Sequence, residues 1–498
     1  MARMLRWTVA LVMLTALLVG VGTPTHAQSP NPINHIVVIY LENHSFDNLY
    51  GSFPGANGIA NAGSAATQVD KSGTAYATLP QPMNSNLKPP APDSRFPANL
   101  ANKPFNIDQY VPLSEKTGDL VHRFYQEQLQ IDGGKMDKFV AWTDAAGLVM
   151  GYYDTAKLPL YPYAKQYTLA DNFFHGAFGG SFLNHIWLVC ACAPTWPNAP
   201  AAKKAKLDAN GVLVTDGAVT PDDYAVNTSF TVYSPHPANI TDTAQLLPPQ
   251  TKLTIGDRLN EKGVSWAWYS GGWTDALAGH PDPLFQFHHQ AFAFFKNYGD
   301  GTDGRKQHLK DESDFYAAIQ NNTLPSVSFV KPLGAENEHP GYAVPNEGEM
   351  HAAQLVDLIQ KSPAWKDTAI IITYDENGGF WDHVAPPKMD QWGPGSRVPA
   401  LIISPYAKKG FVDHTVMDTT SILAFIENRY GLAPLGTREG QTGNMLSAFD
   451  FNQQPAPAGV PRTLPNTGGD TPIAPIMLVG MLLLLAFGGF VRRLARRA

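Results

Sequence analysis

Two pairs of oxygen donors stand where apolar runs stop. Asp375 and Glu376 follow the β-branched run Ile370–Ile371–Ile372, and Glu42 and Asn43 follow the run NHIVVIYL that starts at Asn34. Three carboxylates and an amide oxygen are hard donors, and together they suit one divalent cation. A cation also explains how such like charges converge; the competing reading is acidic residues capping two ordinary loops. Ser181 follows Gly179–Gly180 and opens an apolar stretch, SFLNHIWLVCAC. A helix N-terminus there favours an anion such as phosphate. A serine beside a cation can also act as an activated nucleophile. The competing reading makes Ser181 a helix N-cap. Several of the fifteen histidines, His122, the pair His288–His289, His339 and His383, lie in dense local settings. Imidazoles there suit proton transfer to a leaving group, although any one of them also fits a structural role. No G-x-S-x-G occurs, so the sharp strand-to-helix elbow of α/β-hydrolases is not supported.

The elements that must hold these groups are short apolar strands alternating with helices, which predicts an α/β fold with a mostly parallel sheet and helices on both faces. Ligands then sit beyond the carboxyl ends of the strands. Strands are expected at 34–41, 167–174, 264–269, 327–330, 368–374 and 400–404, and helices at 119–132, 181–192, 349–361 and 419–430. Gly378–Gly379 permits the turn that brings Asp375 and Glu376 to one site. Asp382 and His383 close that turn and are expected to orient Asp375 or Glu376 from outside the ligand set. Residues 194–250 read as an inserted lobe with a hairpin at Asn210–Gly211. The aromatic stretches at 266–273 and 285–295 read as core, with a lipid or nucleoside pocket as the alternative.

Both ends read as processing segments. Residues 1–27 carry Arg3 and Arg6, an apolar run and small residues at Thr25-His26-Ala27, the pattern of a secretory signal peptide. The catalytic region spans 31–452, and a Pro-rich tether occupies 453–470. Leu464-Pro465-Asn466-Thr467-Gly468 precedes the apolar run 473–491 and the basic tail 492–498. That order resembles a sortase sorting signal, which implies a sortase-type partner, a membrane span and an extracellular enzyme anchored at the cell surface. A plain membrane anchor is the alternative. The formal net charge is −7, and loss of both ends removes six arginines and one aspartate. With no basic stripe, nucleic acid is excluded as a partner. Cys190 and Cys192 sit in an apolar run and are expected to pack as buried thiols, since a C-x-C bridge reads as strained.

Five ordered blocks carry a resemblance. Glu42-Asn43-His44-Ser45-Phe46-Asp47 is similar to the E-N-x-S-F-D motif of the bacterial phosphoesterase family that holds acid phosphatases and phospholipases C. His122 with the later GGKMD at 133–137, ADNFFHGAFGGSFLNH, EHPGY, and TYDENGGFWDHV from Thr373 match its other blocks, between Asn34 and Gly431. The resemblance implies an alkaline-phosphatase-like fold. It implies Ser181 as nucleophile and Glu42, Asn43, Ser181, Asp375 and Glu376 as ligands of a divalent metal ion. It places His122, His288, His289 and His339 around the phosphoryl group. GGSFLNH resembles the acid phosphatase branch, which implies phosphomonoester hydrolysis through a phosphoserine. A phospholipase C acting on a phospholipid headgroup is the alternative, and an inactive surface adhesin is the reading from another class.

Overall fold

The carboxyl ends of three neighbouring parallel strands define one edge of the molecule, seen here in a computed structural model that describes residues 31–436, 438–455 and 458–459. The strands are β1 (His35–Leu41), β5 (Val327–Lys331) and β6 (Thr368–Tyr374). Five more complete the sheet: β2 (Thr168–Ala170), β3 (Trp266–Ser270), β4 (Leu309–Asp311), β7 (Ala400–Ile403) and β8 (Phe411–Asp413). Their order is β4-β3-β5-β1-β6-β7-β2-β8. All pairings are parallel except those of β7, which runs against both β6 and β2. The central strands are apolar on both faces because helices and loops cover both. Ile370, Ile371 and Ile372 are fully buried, each worth roughly 1.5–3 kcal/mol of apolar burial.

Register aligns the chemistry. Leu41 pairs with Tyr374 and Ile39 with Val330. The next residues along, Glu42 and Asp375, therefore emerge side by side, while Lys331, level with Tyr40 on the other side of β1, reaches Glu42 with its side chain.

The helices that matter here are α1 (Phe46–Tyr50), α2 (Phe124–Ile131), α3 (Ser181–Cys190), α4 (Pro345–Lys361) and α5 (Thr419–Tyr430). α5 starts at an Asp418 N-cap with a reciprocal Ser421 bond and stops at Gly431. The helix anticipated from residue 119 begins only at Phe124, so His122 lies on the extended chain before it. The strand expected over 167–174 is broken into Thr168–Ala170 and Phe173–Phe174. Residues 194–250 hold the hairpin Lys206–Leu207/Leu213–Thr215. They send Val219, Ala225, Val226 and Leu247 into the common core.

Cys190 and Cys192 correct an expectation: they form a disulfide. Ala191 between them is left-handed, at φ 46, as the C-cap of α3. That turn brings the two Cα atoms to 5.2 Å, inside the ordinary disulfide range. The signal peptide, the LPNTG motif, the apolar run 473–491 and the basic tail lie outside the described residues, as does most of the tether. Among the described residues no helix is long and apolar enough to cross a membrane.

α4 buries Ala352, Leu355, Val356 and Ile359, and with them Glu349. Glu349 accepts a bond from Leu160 N at 2.7 Å, and burial pushes its carboxyl up to about 8. Glu338, also buried, is held well above the usual range, first by burial and then by Glu349. The folded chain keeps the Glu349 proton from about pH 4.5 to about 8, where the unfolded chain has released it. Stability from this group is therefore full at low pH and lost as pH rises through that window, with a slope of at most about 1.4 kcal/mol per pH unit. Glu349→Gln is expected to flatten the decline in unfolding free energy between pH 5 and 8. A slope unchanged by the substitution assigns the pH dependence elsewhere.

Candidate active site

Ser181 is the first residue of α3. Its cap is the extended Gly180, and no side chain caps the helix, so Ser181 is not an N-cap. Its hydroxyl instead points to the end of β1, 3.3 Å from Glu42 Oε2 and 3.4 Å from Asn43 Oδ1. Asn43 adopts φ 71, a left-handed conformation that asparagine tolerates better than most residues. The turn into α3 is held from behind. Asn184 accepts from Ala177 N and donates to the carbonyls of Ala177 and Gly179. Glu127, on α2, accepts from Gly179 N at 2.6 Å, from Ser396 and from His175. Burial alone raises Glu127, but His175 and these amides outweigh it and hold the carboxyl below its ordinary value.

Asp375 and Glu376 are fully buried just beyond β6. Gly378 follows at φ 63, and a Cβ on it would lie 2.1 Å from Asn43 O. The two donor-bearing turns therefore pack together only because that residue is glycine. Glu376 Oε2 accepts from Gly378 N at 2.5 Å, while Asp375 Oδ2 and Glu376 Oε1 have no hydrogen-bond partner among the described residues. Burial raises both carboxyls well above the usual range, and neighbouring carboxylates, Glu42 for Asp375 and Asp375 for Glu376, push them further. Glu42 is raised by burial against the opposing charge of Lys331. Orphaned carboxylate oxygens beside an amide oxygen and a hydroxyl fit a hard divalent cation. Glu42, Asn43, Ser181, Asp375 and Glu376 are the residues that would hold it.

The histidines divide into two groups. His122, His288 and His339 line a cavity of about 370 Å³ whose wall includes Ser181, together with Gly180, Asn227 and Tyr342. His122 Nε2 lies 3.8 Å from Glu376 Oε1, and its Nδ1 bonds Leu120 O at 2.6 Å. His339 Nδ1 bonds Pro340 O at 2.6 Å, and its ring stacks on Tyr342. His289 differs from expectation. It does not line this cavity but lies behind Glu42, 3.0 Å from Oε1. The tight Phe287–His289 turn sends consecutive rings in different directions.

Two residues were missed from sequence. His185 stacks on His289 at 4.5 Å and lies 3.6 Å from Asp375. Its signal was the Ser181 spacing, since i and i+4 share a helix face. Lys331 Nζ lies 2.5 Å from Glu42 Oε1; its signal was a lysine ending an apolar strand.

Asp382 and His383 correct the other expectation. They do not touch Asp375 or Glu376. Asp382 takes a two-pronged contact from Arg397, at 2.8 and 3.1 Å. His383 Nδ1 lies 2.5 Å from Asp47, in α1, which Arg397 also reaches at 3.2 Å. The cluster joins the chain after β1 to the chain after β6.

Comparison with known proteins gives the family. The profile described as "Phosphoesterase family" matches residues 33–433. Phospholipase C A of Mycobacterium tuberculosis is 27% identical over 464 residues, covering 85% of this chain and 78% of that one. Non-hemolytic phospholipase C of Pseudomonas aeruginosa is 25% identical over 499 residues, covering 90% of this chain and 63% of that one. Among solved structures, an alkaline phosphatase superfamily protein from Vibrio parahaemolyticus is similar at 11% identity and a TM-score of 0.33, over 67% of this chain and 73% of that one. With the family profile spanning the sheet, the serine and both donor-bearing turns, the chain belongs to the Phosphoesterase family and is a phosphoric ester hydrolase.

Proposed function

We propose that the chain is a phosphomonoesterase that works through a phosphoserine on Ser181 and acts outside the cell, anchored at its surface. The observation that carries the reaction is Ser181 Oγ in the wall of a histidine-ringed cavity, with donor oxygens of Glu42 and Asn43 at 3.3 and 3.4 Å. The surface location is supported by the terminal segments alone, and sortase processing at Thr467 is part of the same proposal.

Ser181 Oγ attacks phosphorus, and Glu42 Oε2 is placed to take its proton. A divalent cation in the donor set, when bound, neutralises phosphate charge and acidifies that hydroxyl. His122 is the proton donor to the departing oxygen. Its Nδ1 proton is held by Leu120 O, so the proton it gives up is the second one, which only the imidazolium form carries, on Nε2 and on the side of Asn43 and Glu376. Burial, then His122, holds His339 well below the ordinary imidazole value. With its Nδ1 proton given to Pro340 O, the neutral ring presents Nε2 to the cavity as an acceptor, for a proton of the attacking water rather than for a phosphoryl oxygen. Water then hydrolyses the phosphoserine.

Monoesters are favoured over choline phospholipids by the cavity wall. Among the described residues Tyr342 is its one aromatic ring besides the imidazoles, whereas a quaternary ammonium calls for an aromatic cage. The second reading, phospholipase C, is favoured by the names of the relatives. Parallel assays with p-nitrophenyl phosphate and phosphatidylcholine vesicles separate them: turnover of the first at least about tenfold faster is expected, and the reverse order overturns the monoester reading. Chelation is expected to abolish turnover and a divalent salt to restore it. Full activity in protein free of metal by elemental analysis removes the ligand assignment.

A further inference from the structure

We propose that Lys331 is a positioning residue that sets the charge of the donor site, matching it to a divalent rather than a trivalent cation. The inference rests on the reading of Glu42, Asn43, Ser181, Asp375 and Glu376 as a cation site. Among the described residues Lys331 is the one buried lysine, 1% exposed. β5 delivers it beside β1, where its ammonium contacts Glu42 Oε1 at 2.5 Å and Tyr40 O at 3.2 Å.

This contact divides Glu42 between two tasks. Oε1 faces Lys331 and His289, at 2.5 and 3.0 Å. Oε2 faces Ser181 at 3.3 Å and His339 at 4.0 Å. Lys331 thus turns one oxygen away from the nucleophile and leaves the other as the donor. It also changes the charge count. Ionised, as a ligand set must be, Glu42, Asp375 and Glu376 carry three negative charges, and Lys331 reduces the net to two. With the lysine and Glu42 buried, solvent screens little of this. A net of two matches a divalent ion. A net of three matches a trivalent one, which holds phosphate product more tightly.

The test is a ratio of affinities, Tb³⁺ by luminescence and Mn²⁺ by electron paramagnetic resonance, neither of which depends on turnover. Lys331→Met and Lys331→Gln leave a net of three, and the preference for Tb³⁺ over Mn²⁺ is expected to rise at least about tenfold in both. Lys331→Gln keeps an N–H donor for Glu42, so it separates charge from orientation. Glu42→Gln, with Lys331 in place, leaves a net of one and is expected to lower the ratio. The double variant Glu42→Gln/Lys331→Met restores a net of two without an unpaired buried charge, and is expected to return the ratio toward that of the wild type.

A lysine that merely supports the fold weakens both ions alike and leaves the ratio constant. A constant ratio across the variants that fold, the double variant and Glu42→Gln included, overturns the proposal. If the wild-type protein binds neither ion, the cation-site reading itself fails, a different outcome.

Discussion

Ser181→Ala is expected to leave a folded protein whose turnover of p-nitrophenyl phosphate falls at least about 10³-fold. The fold should tolerate the change. Ser181 is the first residue of α3, its side chain caps nothing, and Gly180 occupies the cap. Alanine is also the better helix former. What disappears is the oxygen that attacks phosphorus and, with it, one donor to the cation. Acid quenching during turnover is expected to trap phosphate on Ser181 in the wild type and none in the variant. The alternative chemistry, in which water attacks phosphorus directly and Ser181 is only a ligand, predicts a modest loss and no phosphoenzyme. Retention of more than about a tenth of wild-type turnover, with no trapped phosphoserine, therefore sinks the nucleophile assignment.

The donor-bearing turns were legible because each follows an apolar run that only a buried strand explains. HIVVIYL became β1 and TAIIITY became β6, and their register makes Glu42 and Asp375 neighbours. Ser181 was legible for a similar reason, since two glycines before an apolar helix mark a close approach. What stayed hidden depends on contacts between distant positions. His383 and Asp47 are 336 residues apart, and nothing local to WDHV names Asp47 as the partner. Nearness in sequence to Glu376 misled, because Gly378 and Gly379, at φ 63 and 73, turn the chain away before Asp382 is reached. The Cys190–Cys192 bridge depends on the backbone of Ala191, whose left-handed geometry is a helix-end feature that composition does not display. Lys331 was passed over because a charge at a strand end is ordinary. Its meaning comes from the strand beside it.

The Asp47–Asp382–His383–Arg397 cluster gives the largest expected effect on stability. Arg397→Met is expected to cost about 3–5 kcal/mol of unfolding free energy, measured by urea denaturation, because it strands two buried carboxylates. Arg397 is fully buried. It grips Asp382 with two nitrogens, reaches Asp47 at 3.2 Å, and donates to the carbonyls of Asn57 and Asp171 at 2.8 and 2.7 Å. Its guanidinium also lies 4.6 Å from the Phe46 ring centroid. Lysine cannot reproduce that set of planar donors, so Arg397→Lys is expected to fall between methionine and wild type. The same cluster ties α1, which follows Glu42–Asn43, to the turn that follows Asp375–Glu376. The metal-free methionine variant should therefore also bind a divalent ion more weakly than the wild type. The loss can be assigned to stranded charge rather than lost volume with one further protein. Combining Arg397→Met with Asp47→Asn and Asp382→Asn removes both carboxylates with the guanidinium and is expected to recover much of the lost stability. If Arg397→Met stays within about 1 kcal/mol of the wild type, the cluster is not what joins the two turns. Glu42 and Asp375 must then be held together by the β1–β6 register alone.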